Sequence, residues 1–240
     1  MKLKDRIIVA LDVNDAESCK ALLDKLYPTI KAFKVGSQLF TAVGQEAINM
    51  IKRKGASCFL DLKFHDIPAT VGKTSASATS LGADLFDMHA SGGFDMMKEA
   101  VRSSEETAER LKIKKPLILG VTVLTSMDKK DLEDLGIKRD TKDEVLFLAE
   151  LAKKAGLDGV IASADETESI KKNLGKGFVV VTPGIRPSWT KKADQKRIAT
   201  PKEAFDRGAD YIVIGRAITE VEDPKAAAER IIGEIEGEPR

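Results

Sequence analysis

Asp61, Lys63 and Asp66, within the run Asp61-Leu62-Lys63-Phe64-His65-Asp66-Ile67-Pro68, set three charges where an apolar segment ends. The segment Ser57-Cys58-Phe59-Leu60 reads as a buried strand. The two-residue period of a strand carries Phe59, Asp61 and Lys63 to one face and Leu60 and Leu62 to the other. A carboxylate and an ammonium pointing the same way shift each other's protonation, which is the raw material of proton-transfer chemistry. Asp66 falls past the strand, ahead of a proline suited to the first turn of a helix, and so belongs to a strand-to-helix loop. Burying unpaired charges costs several kcal/mol each, so stability alone is a poor reason to collect them.

The elements that must hold these residues alternate along the chain. Strands are expected over about Ile7–Leu11, Ala32–Val35, Cys58–Lys63, Leu85–His89, Leu117–Leu124, Gly159–Ser163, Phe178–Thr182 and Tyr211–Gly215. Helical periodicity fills the intervals, near 15–26, 38–52, 69–81, 93–111 and 142–155, briefly after Asp165, and from Pro224 to Ile235. About eight strand-helix units of about 30 residues each predict a single (β/α)8 barrel, an α/β fold, over residues 1–240. A doubly wound open sheet is the runner-up. Its first turn, Leu11-Asp12-Val13-Asn14-Asp15, lacks the glycine pattern that cradles a dinucleotide. Two connections are long, 125–140 and 183–200, and loops of that length commonly cover or bind a ligand.

Bulk composition narrows the partners. The 240 residues are 42% hydrophobic and 32% charged, which suits one large water-soluble domain. Lys and Arg number 39 against 38 Asp and Glu, a net charge of +1, so there is no global attraction to nucleic acid or to an anionic membrane. No signal-peptide pattern opens the sequence and no apolar run reaches the roughly 18 residues needed to span a bilayer, so a cytoplasmic location is expected. Cys19 and Cys58 lack metal or redox spacing and read as small buried hydrophobes. With only His65 and His89, a zinc centre is not expected.

In a parallel barrel the site forms where strands end, so polar residues there are the candidates. They are Asp12, Lys34, Asp61, Lys63, His89, Thr125, Ser126, Ser163, Thr182 and Arg216. The last two connections, Thr182-Pro183-Gly184-Ile185-Arg186 and Gly215-Arg216, carry the glycines and arginines that hold a phosphate. Turn glycines and a solvated Arg186 are the ordinary alternatives. Trp189, in the longer loop, could stack on a ligand or close the loop.

The run DLKFHDIPAT, from Asp61 to Thr70, resembles the DxKxxD signature of the orotidine 5′-monophosphate decarboxylase family, in its bacterial branch. IVALD ending at Asp12, FKVG containing Lys34, TPGIRP and GADYIVIGRAI extend that resemblance over essentially the whole chain. Ala217 departs from the proline that family members often have after the Gly-Arg pair. Related magnesium-dependent lyases, 3-keto-gulonate 6-phosphate decarboxylase and hexulose phosphate synthase, share DxKxxD and form the alternative. They typically carry a glutamate where this chain has Lys34.

The resemblance implies conversion of orotidylate to uridylate without metal or organic cofactor. Lys63 would stabilise the C6 carbanion and protonate it, within an array of Lys34, Asp61, Lys63 and Asp66. It also implies a homodimer in which Asp66 and Thr70 enter the neighbouring site. Asp12 and Lys34 would hold ribose hydroxyls, and Thr125 with Ser126 the pyrimidine edge. The phosphate would fall to Gly215 and Arg216 after the eighth strand, with Gln195 and Arg186 on the loop that begins at Pro183.

Overall fold

The computed structural model describes residues 2–190 and 197–237. Eight strands, β1 (Ile7–Ala10), β2 (Ala32–Gly36), β3 (Ser57–Phe64), β4 (Leu85–His89), β5 (Leu117–Val121), β6 (Gly159–Ile161), β7 (Val179–Thr182) and β8 (Tyr211–Ile214), pair in sequence order as a closed barrel. All the pairings are parallel, and β8 closes on β1 through Ile7 opposite Ile212 and Val9 opposite Ile214. Around the barrel run α1 (Ala16–Leu26), α2 (Ser37–Val43), α3 (Glu46–Arg53), α4 (Pro68–Ser80), α5 (Phe94–Leu111), α6 (Lys129–Asp134), α7 (Thr141–Ala155), α8 (Ala164–Leu174), α9 (Pro201–Asp206), α10 (Arg216–Thr219) and α11 (Pro224–Glu236). The expected (β/α)8 barrel is the architecture found.

Strand alternation builds two cores. Ile8, Ala32, Phe59, Leu85, Leu119 and Val181 fill the barrel interior. Their neighbours Val9, Phe33, Leu60, Phe86, Ile118 and Ile212 face outward and pack beneath the helices. Each helix closes that layer with an apolar stripe. In α1 the stripe is Cys19, Leu22, Leu23 and Leu26, and Asp15 starts the helix by accepting the Ser18 N–H at 2.7 Å. Cys19 and Cys58 are both fully buried, and burial pushes their thiols up to about 11 and about 12.

The local departures from expectation are short elements. The span 38–52 is two helices, α2 and α3, because Gly44 adopts φ 66° and ends the first. Strands β5 and β6 stop at Val121 and Ile161, short of the predicted ends. The connection 125–140 contains α6, begun by a reciprocal capping box between Asp128 and Asp131. The connection after β7 runs into α9, begun in the same way by Thr200 and Glu203 with Pro201 at the first turn.

At the N-terminal end of the barrel one device appears three times. Gly82-Ala83-Asp84, Gly156-Leu157-Asp158 and Gly208-Ala209-Asp210 lead into β4, β6 and β8. Each aspartate donates its backbone N–H to the second residue of the preceding strand, Cys58, Ile118 or Val180. Each carboxylate then accepts that residue's N–H in return, at 2.8, 2.8 and 2.7 Å. A lysine neutralises each one: Lys52 at 2.7 Å, Lys115 at 3.4 Å and Lys171 at 2.5 Å. The device satisfies backbone groups where strand pairing ends.

Candidate active site

A cavity of about 350 Å³ opens at the C-terminal end of the strands. Its floor is apolar, formed by Ala10, Phe59, Val121, Ile161 and Val213. Four charged residues stand on one wall. Lys34, on β2, reaches Asp12 Oδ1 at 3.2 Å and Asp61 Oδ2 at 3.1 Å. Lys63 Nζ donates to the other oxygen of Asp61. The charges therefore alternate without a gap, in the order Asp12, Lys34, Asp61, Lys63.

Lys34 and Asp61 are largely buried, so each depends on the others for its charge. Burial opposes the Asp61 charge, but Lys34, a hydrogen bond from Asp87 and then Lys63 hold its carboxyl well below the usual carboxylate range. Burial likewise opposes the ammonium of Lys34, and Asp61 with Asp12 raises its pKa above the ordinary lysine value. Both residues therefore remain ionised in a site that excludes much of the water.

Lys63 does not reach the cavity by simple alternation. Leu60 pairs with Phe86 and Phe64 with Met88, so Asp61, Leu62 and Lys63 face the single residue Asp87 on β4. Within this bulge Lys63 adopts φ 50°, a left-handed conformation that costs a lysine on the order of 1 kcal/mol. Its backbone N–H donates to Asp87 Oδ1 at 2.8 Å. Asp87 is fully buried, on the barrel-facing side of β4 with Leu85 and His89. Attention to strand ends alone passes over it. The available signal was an acid in mid-strand, in Leu85-Phe86-Asp87-Met88-His89.

The other wall carries most of the residues expected to meet an anion and a pyrimidine. Pro183, Gly184, Arg186, Gly215 and Arg216 line it, as do Thr125 and Ser126 on the connection after β5. Gly215 sits close to the charge row, since a Cβ there would lie 3.5 Å from Ala10 and 3.6 Å from Asp12 Oδ2. The base of the loop after β7 is tied by the Arg186 N–H to Ala199 O at 2.9 Å and the Ala199 N–H to Gly184 O at 3.2 Å. Arg197 links this loop to the β5 connection. It pairs with the buried Glu166 at 2.5 Å and donates to the carbonyls of Val123 at 3.1 Å and Leu124 at 2.9 Å. That arginine and Glu166 were not on the list of candidates drawn from strand ends.

Several candidates lie elsewhere. Asp66 and Thr70 are exposed and outside the cavity of this chain, and Asp66 Oδ1 accepts the Ile67 N–H at 2.6 Å. Gln195 lies outside the described residues. Ser163 starts α8 and Thr182 is buried near Thr167, so neither lines the cavity. The rings of His65 and His89 meet at a tilt, with centroids 5.4 Å apart, and also stand apart from the lining. Burial, then His65 and Lys63, lower the His89 pKa against the pull of Asp61. Trp189 packs on the apolar core beneath Arg230, whose guanidinium lies 3.9 Å from the ring centroid. Among the described residues, no three His, Cys, Asp or Glu side chains form a metal-holding group.

Comparison with known proteins draws on nearly the full length. A model of the orotidine 5′-phosphate decarboxylase / HUMPS family matches residues 5–231. An orotidine 5′-phosphate decarboxylase of Moorella thermoacetica is 47% identical over 237 residues, which cover 98% of this chain and 94% of that protein. Its counterpart from Syntrophomonas wolfei is 46% identical, covering 98% of this chain and all (100%) of the other. The crystal structure of orotidine 5′-phosphate decarboxylase from Lactobacillus acidophilus superimposes with a TM-score of 0.85 at 38% identity, covering 96% of this chain and 99% of that one. Similarity of this extent, on a shared barrel, means that the chain belongs to the orotidine 5′-phosphate decarboxylase / HUMPS family.

Proposed function

We propose that this protein decarboxylates orotidine 5′-monophosphate to uridine 5′-monophosphate, with neither metal nor organic cofactor. The observation that carries this reading is the unbroken row Asp12, Lys34, Asp61, Lys63 facing a phosphate-sized basic wall across one cavity. The bond from C6 to the carboxylate breaks heterolytically, leaving its electron pair on a ring carbon without an electron sink. A fixed ammonium is then the most effective stabiliser, because it is already oriented when the negative charge appears. Lys63 supplies that charge and transfers a proton from Nζ to C6 as general acid, and solvent later restores the proton. Asp61 faces the departing carboxylate and fixes both lysines.

The remaining contacts follow from the position of the phosphate. Gly215 and Arg216 after β8 hold it together with Arg186 and Gln195 on the loop that starts at Pro183. Asp12 and Lys34 take the ribose hydroxyls, and Thr125 and Ser126 the pyrimidine edge. Phosphate binding far from the breaking bond draws the loop closed and aligns the charges, which converts binding energy into rate. A magnesium-dependent lyase would need carboxylates free for the cation, whereas Asp12 and Asp61 are both engaged by ammonium groups.

Residues 1–240 act in this reading as one catalytic domain, and two copies form a homodimer in which Asp66 and Thr70 complete the partner's site. The exposure of the whole stretch 65–70, with Ile67 66% exposed, supports an interface there. A small-molecule pathway enzyme with no helix among its described residues long and apolar enough to cross a membrane fits the cytoplasm. The test is loss of orotidylate absorbance with and without a chelator. Equal turnover in both supports the proposal. Chelator-sensitive release of formaldehyde from a hexulose phosphate, without orotidylate turnover, overturns it.

A further inference from the structure

We infer that Asp87 is a positioning residue standing as a neutral carboxylic acid, donating a hydrogen bond to the Asp61 carboxylate while accepting the backbone N–H of Lys63. The inference rests on the proposal that Asp61 and Lys63 carry the reaction. Three observations lead to it. Asp87 is fully buried, in the interior of the barrel beneath the charge row. Its Oδ1 is used by the Lys63 N–H, while Oδ2 is buried and, among the described residues, receives no N–H or O–H donor. Across the β3–β4 bulge it faces the carboxyl of Asp61, and two carboxyl groups side by side can share a hydrogen bond only with a proton between them.

The charges around the pair decide which acid holds that proton. Asp61 touches two ammonium groups, Lys34 and Lys63, which favour its ionised form. Among the described residues, no ammonium pairs directly with Asp87. From β3 it faces Asp61 and Lys63, on its own strand the nearest titratable group is His89, and its register partner on β5 is the uncharged Leu119. Burial, and then Asp61, push the Asp87 carboxyl well above the usual carboxylate range, against the pull of Lys63. The proton therefore sits on Asp87.

In this role Asp87 does two things at once. Its O–H restrains Asp61 from below, so that the two oxygens of Asp61 remain aimed at Lys34 and Lys63. Its Oδ1 secures the Lys63 backbone at φ 50°, the conformation that swings the ammonium into the cavity. An asparagine can copy both bonds, with its amide N–H directed to Asp61 and its carbonyl oxygen to Lys63. An alanine can copy neither.

The experiment compares Asp87→Asn and Asp87→Ala with wild type in orotidylate turnover and in urea unfolding. Asp87→Ala is expected to lower kcat about 30-fold with KM within about threefold, and Asp87→Asn to recover kcat to within about threefold of wild type. Wild-type Asp87 must release its proton on unfolding. Stability from this group is therefore fully present below the unfolded carboxylate value and is lost as pH rises towards the folded one. Relative to Asp87→Asn, the wild-type unfolding constant should rise with pH above the unfolded carboxylate value of about 3.9, by up to about tenfold per pH unit, until the folded value is passed. An asparagine variant as slow as the alanine, an alanine variant at full rate, or parallel stability-pH curves would each overturn the inference. If the alanine variant does not fold, the asparagine kinetics and the paired unfolding curves decide the matter. Failure of the catalytic proposal itself shows separately, as full activity in Lys63→Ala, which leaves the unfolding comparison untouched.

Discussion

The two ends of the barrel use the same residues, aspartate and lysine, for opposite purposes. At the N-terminal end Asp84, Asp158 and Asp210 each accept a strand N–H and pair with a lysine, so every carboxylate has a backbone partner and the unit closes on itself. At the C-terminal end Asp12, Lys34, Asp61 and Lys63 bond mainly to one another and face a cavity. An acid spent on backbone hydrogen bonds stabilises the fold, whereas an acid spent on a neighbouring ammonium at a cavity wall holds a charge ready for a ligand. Asp87 lies between the two cases, with one oxygen on a backbone N–H and its carboxyl against the charge row.

That division can be broken most sharply at Lys63. Lys63→Ala should lower kcat by about a thousandfold or more while the urea midpoint stays close to wild type. Full turnover in this variant would remove the distinction between the two ends. Mixing it with Asp66→Asn subunits should restore measurable activity, because one hybrid site then has both native residues. No recovery after demonstrated subunit exchange would refute a shared site.

The converse change is Asp210→Ala. It strands the Val180 N–H and removes the carboxylate from Lys171, so the chain should lose about 1–3 kcal/mol of stability in urea titration. Turnover per folded molecule should be unchanged. A drop in kcat without a stability loss would show that the N-terminal device serves the site after all.

A smaller effect should appear in acid. The folded-state pKa of Asp61 is depressed, so its contribution to stability is present above the unfolded carboxylate value, about 3.9, and is lost as pH falls below it. The urea midpoint of wild type should therefore fall more steeply below about pH 4 than that of Asp61→Asn. Identical slopes would mean that the charge row contributes nothing to folding.

Much of this molecule is determined by local sequence. Alternation at Ile8, Ala32, Phe59 and Leu119 sets the strands and their faces, because a two-residue period leaves no other way to bury one side. Asp15, Pro68 and Pro224 start helices through backbone groups only a few residues away. The glycines and arginines after β7 and β8, which line the cavity, stand out in the sequence for equally local reasons. The short helices α6, inside the connection 125–140, and α9, just past the connection 183–200, were missed. Six residues of α6 or α9 carry too few apolar positions to show a period, although their capping boxes were present to be read.

Tertiary structure decided the rest. The left-handed Lys63 arises from a register shift against β4, and register depends on a partner strand that sequence spacing does not specify. Asp12 adjoins Lys34 only because β1 and β2 pair side by side, bringing together residues 22 positions apart. Asp66, the last residue of the signature and only three positions after Lys63, lies outside the cavity because α4 begins at Pro68 and turns the chain away. The sequence by itself determined the barrel and most of the residues that line its mouth. Only the closed sheet decided which of those charges touch, because contact between charges depends on which strands lie next to each other and where each one bulges.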